Sequence, residues 1–339
     1  MKTCLAVAAA AAIAVATPAM SQQITLRVAD NLPATHFLAE HGTTYFMEEV
    51  TKRTDGRVTF EYYPSQQLGK SKDMLTILQS GLADIALVVP SYMSEKLPLS
   101  GVIDLPGGTS TSCQGGKVYS ELLEQDGWLA KNEFSKAGAR KVFVYVNPPY
   151  EMFLASGDTP NVLDLGGAKV RSVGGALDLV VRELNGVPVR LAAPEIRESL
   201  SRGTVDGIVF PVPTVKSYKL QDLIKSGTRG AKLATVATGY MISDAAWAKL
   251  PADVQAVIEA VGDEAMQRVC AHVDKDVAAT FETFEQAGIT IADVSAQEQQ
   301  VLQDVFAKVR EDWAKGLDAR GLPGSDALVA FNDVLAATN

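Results

Sequence analysis

The residues that could do chemistry in this chain are few. It has 3 His and 3 Cys in 339 residues, and nucleophilic or metal-assisted catalysis needs such groups in clusters. Ser110, Thr111, Ser112 and Cys113 place nucleophile-type side chains together. No histidine is near enough in sequence to act as their base, and the stretch reads as a polar loop. His36 and His41 are five residues apart, which puts them on different faces of a helix and argues against a metal pair. Gly69-Lys70-Ser71 resembles the end of a phosphate-binding loop, but Pro64 stands where that motif requires Gly. The sequence contains no G-x-S-x-G, H-E-x-x-H or G-x-G-x-x-G. We therefore expect no catalytic residues, no metal site and no cofactor.

One basic residue stands in a suggestive place. Arg171 lies near the end of a strand read at 168–173, just before Gly174-Gly175 and a helix. Open α/β sheets bind ligands at the carboxyl ends of their strands, and the planar guanidinium fork suits a carboxylate. From position alone, Arg171 is either a ligand contact or one side of a structural ion pair.

The elements that must position it follow from hydrophobic spacing. Ile24, Leu26 and Val28 alternate as one face of a strand, and a helix over 37–53 stops at Thr54-Asp55-Gly56. Val58, Phe60 and Tyr62 form a second strand. Ser71 then caps a helix carrying Met74, Leu75, Leu78 and Leu82, which leads into an apolar strand at 84–89. Strands apolar on both faces, alternating with helices, indicate an α/β fold with a buried, largely parallel sheet. The middle of the chain repeats the plan, with a strand at 187–191, a helix opened by Pro194 and a strand at 207–210. Gly81 and Asp84 in the first copy match Gly203 and Asp206 in the second. Two lobes on one plan imply a cleft between them.

Between 251 and 288, apolar or small residues recur in steps of three or four, from Val254 to Phe284. A helix of that length measures roughly 55 Å, enough to cross both lobes; the alternative is two helices broken near Gly262. A last helical region covers 297–316. We assign 22–145 plus about 234–270 to lobe I and 146–233 plus about 271–339 to lobe II.

With 31 Lys+Arg against 40 Asp+Glu, the net charge is −9. That balance disfavours nucleic acid and anionic membrane surfaces, whose binders concentrate Lys and Arg. Residues 1–21 read as a secretory signal peptide: Lys2, an apolar run over 5–16, and small residues before a cut near Ser21. The run is too short to span a bilayer. The remaining Cys113 and Cys270 either pair in an oxidising compartment or stay separate and buried, and their wide spacing favours the second.

Six stretches resemble the solute-binding proteins of tripartite ATP-independent periplasmic (TRAP) transporters. They are Arg53-Thr-Asp-Gly-Arg-Val58, Tyr63-Pro-Ser-Gln-Gln-Leu-Gly69, the run from Leu78 to Leu87, Lys96-Leu-Pro-Leu99, Asp164-Leu-Gly-Gly-Ala-Lys-Val-Arg171 and Arg202-Gly-Thr-Val-Asp-Gly207. The resemblance implies a two-lobed, periplasmic-binding-protein-like fold with the long helix spanning both lobes. It also implies a monomeric periplasmic receptor that closes on a small organic acid and delivers it to small and large membrane subunits. Arg171 matches the carboxylate-binding arginine of that family. Phe210 stands where many members have a substrate-contacting Asn, and Glu151 where sialic-acid-type members have a second Arg. These departures point away from a doubly gripped dicarboxylate and towards a monocarboxylate, with Phe210 as a wall and Glu151 meeting any positive group. From lobe I we expect contacts among Asn31, His36, Gln67, Ser91 and Tyr92, at the ends of the first three strands. A receptor for another uptake or sensing system, and a periplasmic enzyme on the same fold, are the alternatives.

Overall fold

In the computed structural model, residues 23–338 are described, and the export signal read at 1–21 lies outside them. Eleven strands occur among the described residues. In chain order they are β1 (Ile24–Ala29), β2 (Val58–Tyr63), β3 (Ile85–Val88), β4 (Ala139–Val146), β5 (Glu151–Leu154), β6 (Lys169–Ser172), β7 (Val187–Arg190), β8 (Gly207–Phe210), β9 (Ser226–Arg229), β10 (Ala237–Ser243) and β11 (Thr290–Asp293). They form one sheet of order β2-β1-β3-β10-β4 and another of order β11-β9-β5-β8-β6-β7.

The internal repeat read from sequence has a mechanical basis. In the first sheet β1 runs parallel to β2 and β3; in the second β6 runs parallel to β7 and β8. Gly81 (φ 71°) and Gly203 (φ 63°) take the left-handed conformation that ends a helix. Three residues on, each Asp clamps the neighbouring parallel strand. The Asp84 carboxylate accepts from the Arg27 N–H at 2.9 Å, and the Asp206 carboxylate accepts from the Lys169 N–H at 2.8 Å. Their own N–H groups donate back to the same two residues' carbonyls.

The sheets are mixed, where a largely parallel sheet was expected. β10 is antiparallel to β3 and β4, and β5 is antiparallel to β8 and β9. Each is the strand at which the chain enters from the other sheet. It arrives by an extended segment with no crossover helix, and a parallel pairing needs such a crossover. The two crossing segments pair with each other: Asn147 N–H donates to the Val236 carbonyl at 3.0 Å, and Tyr150 N–H to that of Ala234 at 2.8 Å.

The long helix is continuous over Ala252–Gln286, 35 residues. Gly262 does not break it. A Cβ there would lie 2.0 Å from the Val142 carbonyl oxygen, so the glycine lets the helix sit directly on β4. Val254, Ile258, Val261 and Val269 pack on the first sheet, and Phe284 meets Phe153 of the second edge-on at 6.0 Å. After the helix Ala296–Asp318, a further helix, Gly324–Thr338, returns to pack on the helix Ser112–Leu122 of the first lobe. The sequence division gives everything beyond 271 to lobe II; the return is fixed by Phe331, buried against Gly108.

Cys113 and Cys270 form a disulfide, Cα–Cα 4.7 Å, that ties the helix Ser112–Leu122 to the long helix. Their separation of 157 residues is bridged because the two helices pack side by side, so the reading of two separate cysteines gives way. Ser110–Cys113 is the start of that helix more than a loop. The Thr111 hydroxyl accepts from the Gln114 N–H at 3.1 Å, and the N–H groups of Ser112 and Cys113 donate to Asp274 at 2.7 and 2.9 Å. These side chains cap a helix. No helix of the described residues is long and apolar enough to cross a membrane.

Candidate functional site

Arg171 is the third residue of β6, held between β7 and β8, and is fully buried. Its Nε donates to the Leu191 carbonyl at 3.0 Å and its Nη1 to that of Val209 at 3.4 Å. Nη2 lies 3.5 Å from the Tyr92 hydroxyl, and the guanidinium sits 5.0 Å from the centre of the Phe210 ring. Among the described residues no carboxylate pairs with it. A buried charge without a counter-ion is costly, and here its partners are two carbonyl oxygens, a hydroxyl and a ring, all neutral. Behind it, Gly174 (φ 94°) turns the chain so closely under the first lobe that a Cβ would lie 3.2 Å from the Ser91 carbonyl oxygen. Only glycine adopts that backbone readily.

Beside Arg171 the two lobes enclose a cavity of about 50 Å³. Asn31, His36, Tyr92 and Tyr145 line it from the first lobe, Asn147 from a crossing segment, and Phe210, Thr214 and Tyr218 from the second lobe. The rings form a row. Phe210 and Tyr218 are 6.3 Å apart, and Tyr218 and His36 5.7 Å, each pair edge-on. The volume is small for an organic acid, so the lobes must part to admit one. The Tyr92 hydroxyl crosses the cleft and accepts from the Ala193 N–H at 2.9 Å as well as from Arg171. Its own proton remains available to donate. His36 Nδ1 accepts from the Leu38 N–H at 3.1 Å, and burial lowers the imidazole to about 3. The ring is therefore neutral, with its proton on Nε2.

Of the residues singled out from sequence, Arg171, Phe210, Tyr92, Asn31 and His36 converge here. Three others do not. The Ser91 hydroxyl is spent on the Asp104 carboxylate, whose other oxygen accepts from the Ala237 N–H at 2.9 Å; it supports Tyr92 from behind. Gln67 is exposed and outside the cavity lining. Glu151 is the clearest correction. Its carboxylate is buried and accepts from Thr228 Oγ1 at 2.7 Å, Ala231 N–H at 2.9 Å and Gly230 N–H at 3.0 Å. Burial pushes it up to about 7 despite those bonds. With three strong donors it braces the 228–232 turn, and it has no place in the cavity wall.

Tyr218, Thr214, Tyr145 and Asn147 were missed. Thr214 and Tyr218 are four apart, where a helix begins directly after β8, so the strand end that flagged Phe210 also carried them. Larger hollows exist on the surface. In a groove of about 450 Å³, Lys141 pairs with Glu124 and Asp263.

Residues 29–316 match the family model DctP, bacterial extracellular solute-binding protein, family 7. The C4-dicarboxylate-binding periplasmic protein DctP of Rhodobacter capsulatus is 25% identical over 332 residues, covering 95% of this chain and 96% of its own. A TRAP solute-binding protein from Rhodoferax ferrireducens T118, solved with copurified benzoate, superposes with a TM-score of 0.84 at 22% identity, covering 93% of this chain and 98% of that one. One from Bordetella bronchiseptica with bound (R)- and (S)-mandelate gives 0.81 at 24% identity, over 93% of this chain and 100% of that one. The two-lobed fold is shared with these structures. With the family model spanning most of its length, this chain belongs to family 7 of the bacterial extracellular solute-binding proteins, the solute receptors of TRAP transporters.

Proposed function

We propose that this protein is a periplasmic receptor that closes its lobes on a small monocarboxylate with an aromatic body and passes it to the membrane subunits of a TRAP transporter. The observation that carries the reading is Arg171: a fully buried guanidinium with no carboxylate partner among the described residues, lying against Phe210 and Tyr92, two residues that line a cavity rich in aromatic rings. A ligand carboxylate would supply the missing charge. It would gain charge-assisted hydrogen bonds from the guanidinium and the Tyr92 hydroxyl. Phe210, Tyr218 and Tyr150 would enclose the ring.

Because the lining comes from both lobes, a ligand touching both walls binds the closed form better than the open one, and that difference drives closure. Benzoate and mandelate, named with two structural neighbours, are acids of this kind. The C4-dicarboxylate named with one relative is less well served, since no Lys or Arg lines the cavity and Arg171 alone adjoins it. His36, the histidine in the lining, has Nδ1 occupied by the Leu38 N–H and its proton on Nε2, so it offers no free base, and the reading is capture without turnover. Mass spectrometry of the small molecule released from natively purified protein tests it. An aromatic monocarboxylate is expected, and a dicarboxylate or a neutral sugar would refute it.

A further inference from the structure

Four buried polar atoms around the cavity have no hydrogen-bond partner: Asn31 Oδ1, His36 Nε2, Thr214 Oγ1 and Tyr218 Oη. They make up half of the unpartnered buried side-chain atoms among the described residues. Leaving such groups unpaired costs stability, and native proteins seldom collect them in one place without use. Arg171 is not among them. It lies against Phe210, and the ring row continues through Tyr218 to His36. Along that row Tyr218 and His36, which carry two of the unpartnered atoms, lie beyond Phe210 from the guanidinium.

The polarity of two of these atoms is fixed. His36 Nδ1 is occupied by the Leu38 N–H, so Nε2 only donates. Asn31 Oδ1 only accepts. The hydroxyls of Thr214 and Tyr218 adapt to either role. A ligand group serving both fixed atoms must accept and donate at once. A second carboxylate only accepts, and no Lys or Arg lines the cavity to neutralise it. An ammonium only donates, and no Asp or Glu lines the cavity to receive it. A hydroxyl does both with a single heavy atom, which suits the small volume.

We propose that the cleft selects a hydroxylated aromatic monocarboxylate, its carboxylate on Arg171 and its hydroxyl accepting from His36 Nε2–H while donating to Asn31 Oδ1. His36 is then a specificity-determining residue. The proposal rests on the acid-receptor reading above and adds the second point of recognition.

Calorimetric titration of ligand-stripped mature protein with benzoate, 3-hydroxybenzoate, 4-hydroxybenzoate and isophthalate tests it. One hydroxybenzoate should bind about tenfold or more tighter than benzoate, and isophthalate more weakly than benzoate. His36→Phe should bring that hydroxy acid to within about twofold of benzoate, both measured on the same variant. Asn31→Leu removes the accepting oxygen at similar size, and should erode the same preference by about threefold should His36→Phe fail to fold. Equal binding of benzoate and both hydroxybenzoates by the wild type, or a preference untouched by either variant, overturns the proposal. If benzoate binds and Arg171→Ala abolishes it while the hydroxyl gives no advantage, the acid-receptor reading stands and only this inference falls. If no acid binds the wild type, both fall.

Discussion

Tyr92 of the first lobe and Arg171 of the second meet across the cleft, hydroxyl oxygen to Nη2 at 3.5 Å. The same oxygen accepts the Ala193 N–H, so one side chain both latches the lobes and adjoins the buried cation. A carboxylate held by Arg171 would also meet that latch.

Arg171→Ala removes the cation and keeps the fold. Binding of the cognate acid should weaken by about 2–5 kcal/mol, the usual cost of truncating one side of a buried charged pair. The melting temperature of the ligand-free protein should change little, because relief of an uncompensated buried charge offsets the loss of its bonds to the Leu191 and Val209 carbonyls. Calorimetry and a thermal melt read the two quantities. Unchanged affinity would remove Arg171 from the site.

Tyr92→Phe keeps the ring and deletes the latch. The Ala193 N–H and Arg171 Nη2 lose an acceptor, and the closed form loses stability relative to the open one. Affinity should fall by about three- to tenfold, and small-angle scattering of the ligand-free protein should show a larger radius of gyration than wild type. Identical scattering and affinity would contradict the latch.

Stability should depend on pH in two opposite senses. Burial pushes Asp104, Glu133 and Glu151 each up to about 7. Their folded values lie above the unfolded carboxylate range near 4, so between about pH 4 and 7 the folded protein holds the extra protons and loses stability as pH rises. Surface acids act the other way. Hydrogen bonds from Arg53, then Tyr45, hold Glu264 at about 2, so its contribution disappears as pH falls from about 4 towards 2. The melting temperature should therefore peak near pH 4, decline to about pH 7 and level off above it. A profile that rises from pH 5 to 8 would contradict this.

The disulfide Cys113–Cys270 closes a loop of 157 residues between two packed helices. Its reduction should lower stability to urea by about 2–4 kcal/mol. The comparison of unfolding midpoints with and without reductant, with thiol titration to confirm reduction, reads this directly. An unchanged midpoint in fully reduced protein would contradict it.

Much of the architecture was legible because local signals agree with the fold. The paired Gly-to-Asp spacing at 81–84 and 203–206 marks the same strand clamp in both sheets, and apolar spacing marked the long helix. The antiparallel strands β5 and β10 were not legible, since their direction depends on which sheet the chain enters, a long-range outcome. At the site, strand-end position and residue type pointed to Arg171 and Phe210. Glu151 misled because a carboxylate near a cleft looks the same in sequence whether it faces a ligand or, as here, the N–H groups of a turn. The pairing of Cys113 with Cys270 required knowing that two helices distant in sequence lie side by side.

The central claim is that Arg171 holds the carboxylate of the ligand. A crystal structure of the closed protein with its copurified acid, or with benzoate added, tests it most directly. The account predicts both carboxylate oxygens within about 3 Å of the Arg171 guanidinium nitrogens, with the ring beside Phe210. An acid bound in the cleft with its carboxylate away from Arg171, and Arg171 bonded only to Leu191, Val209 and Tyr92 as now, would contradict it.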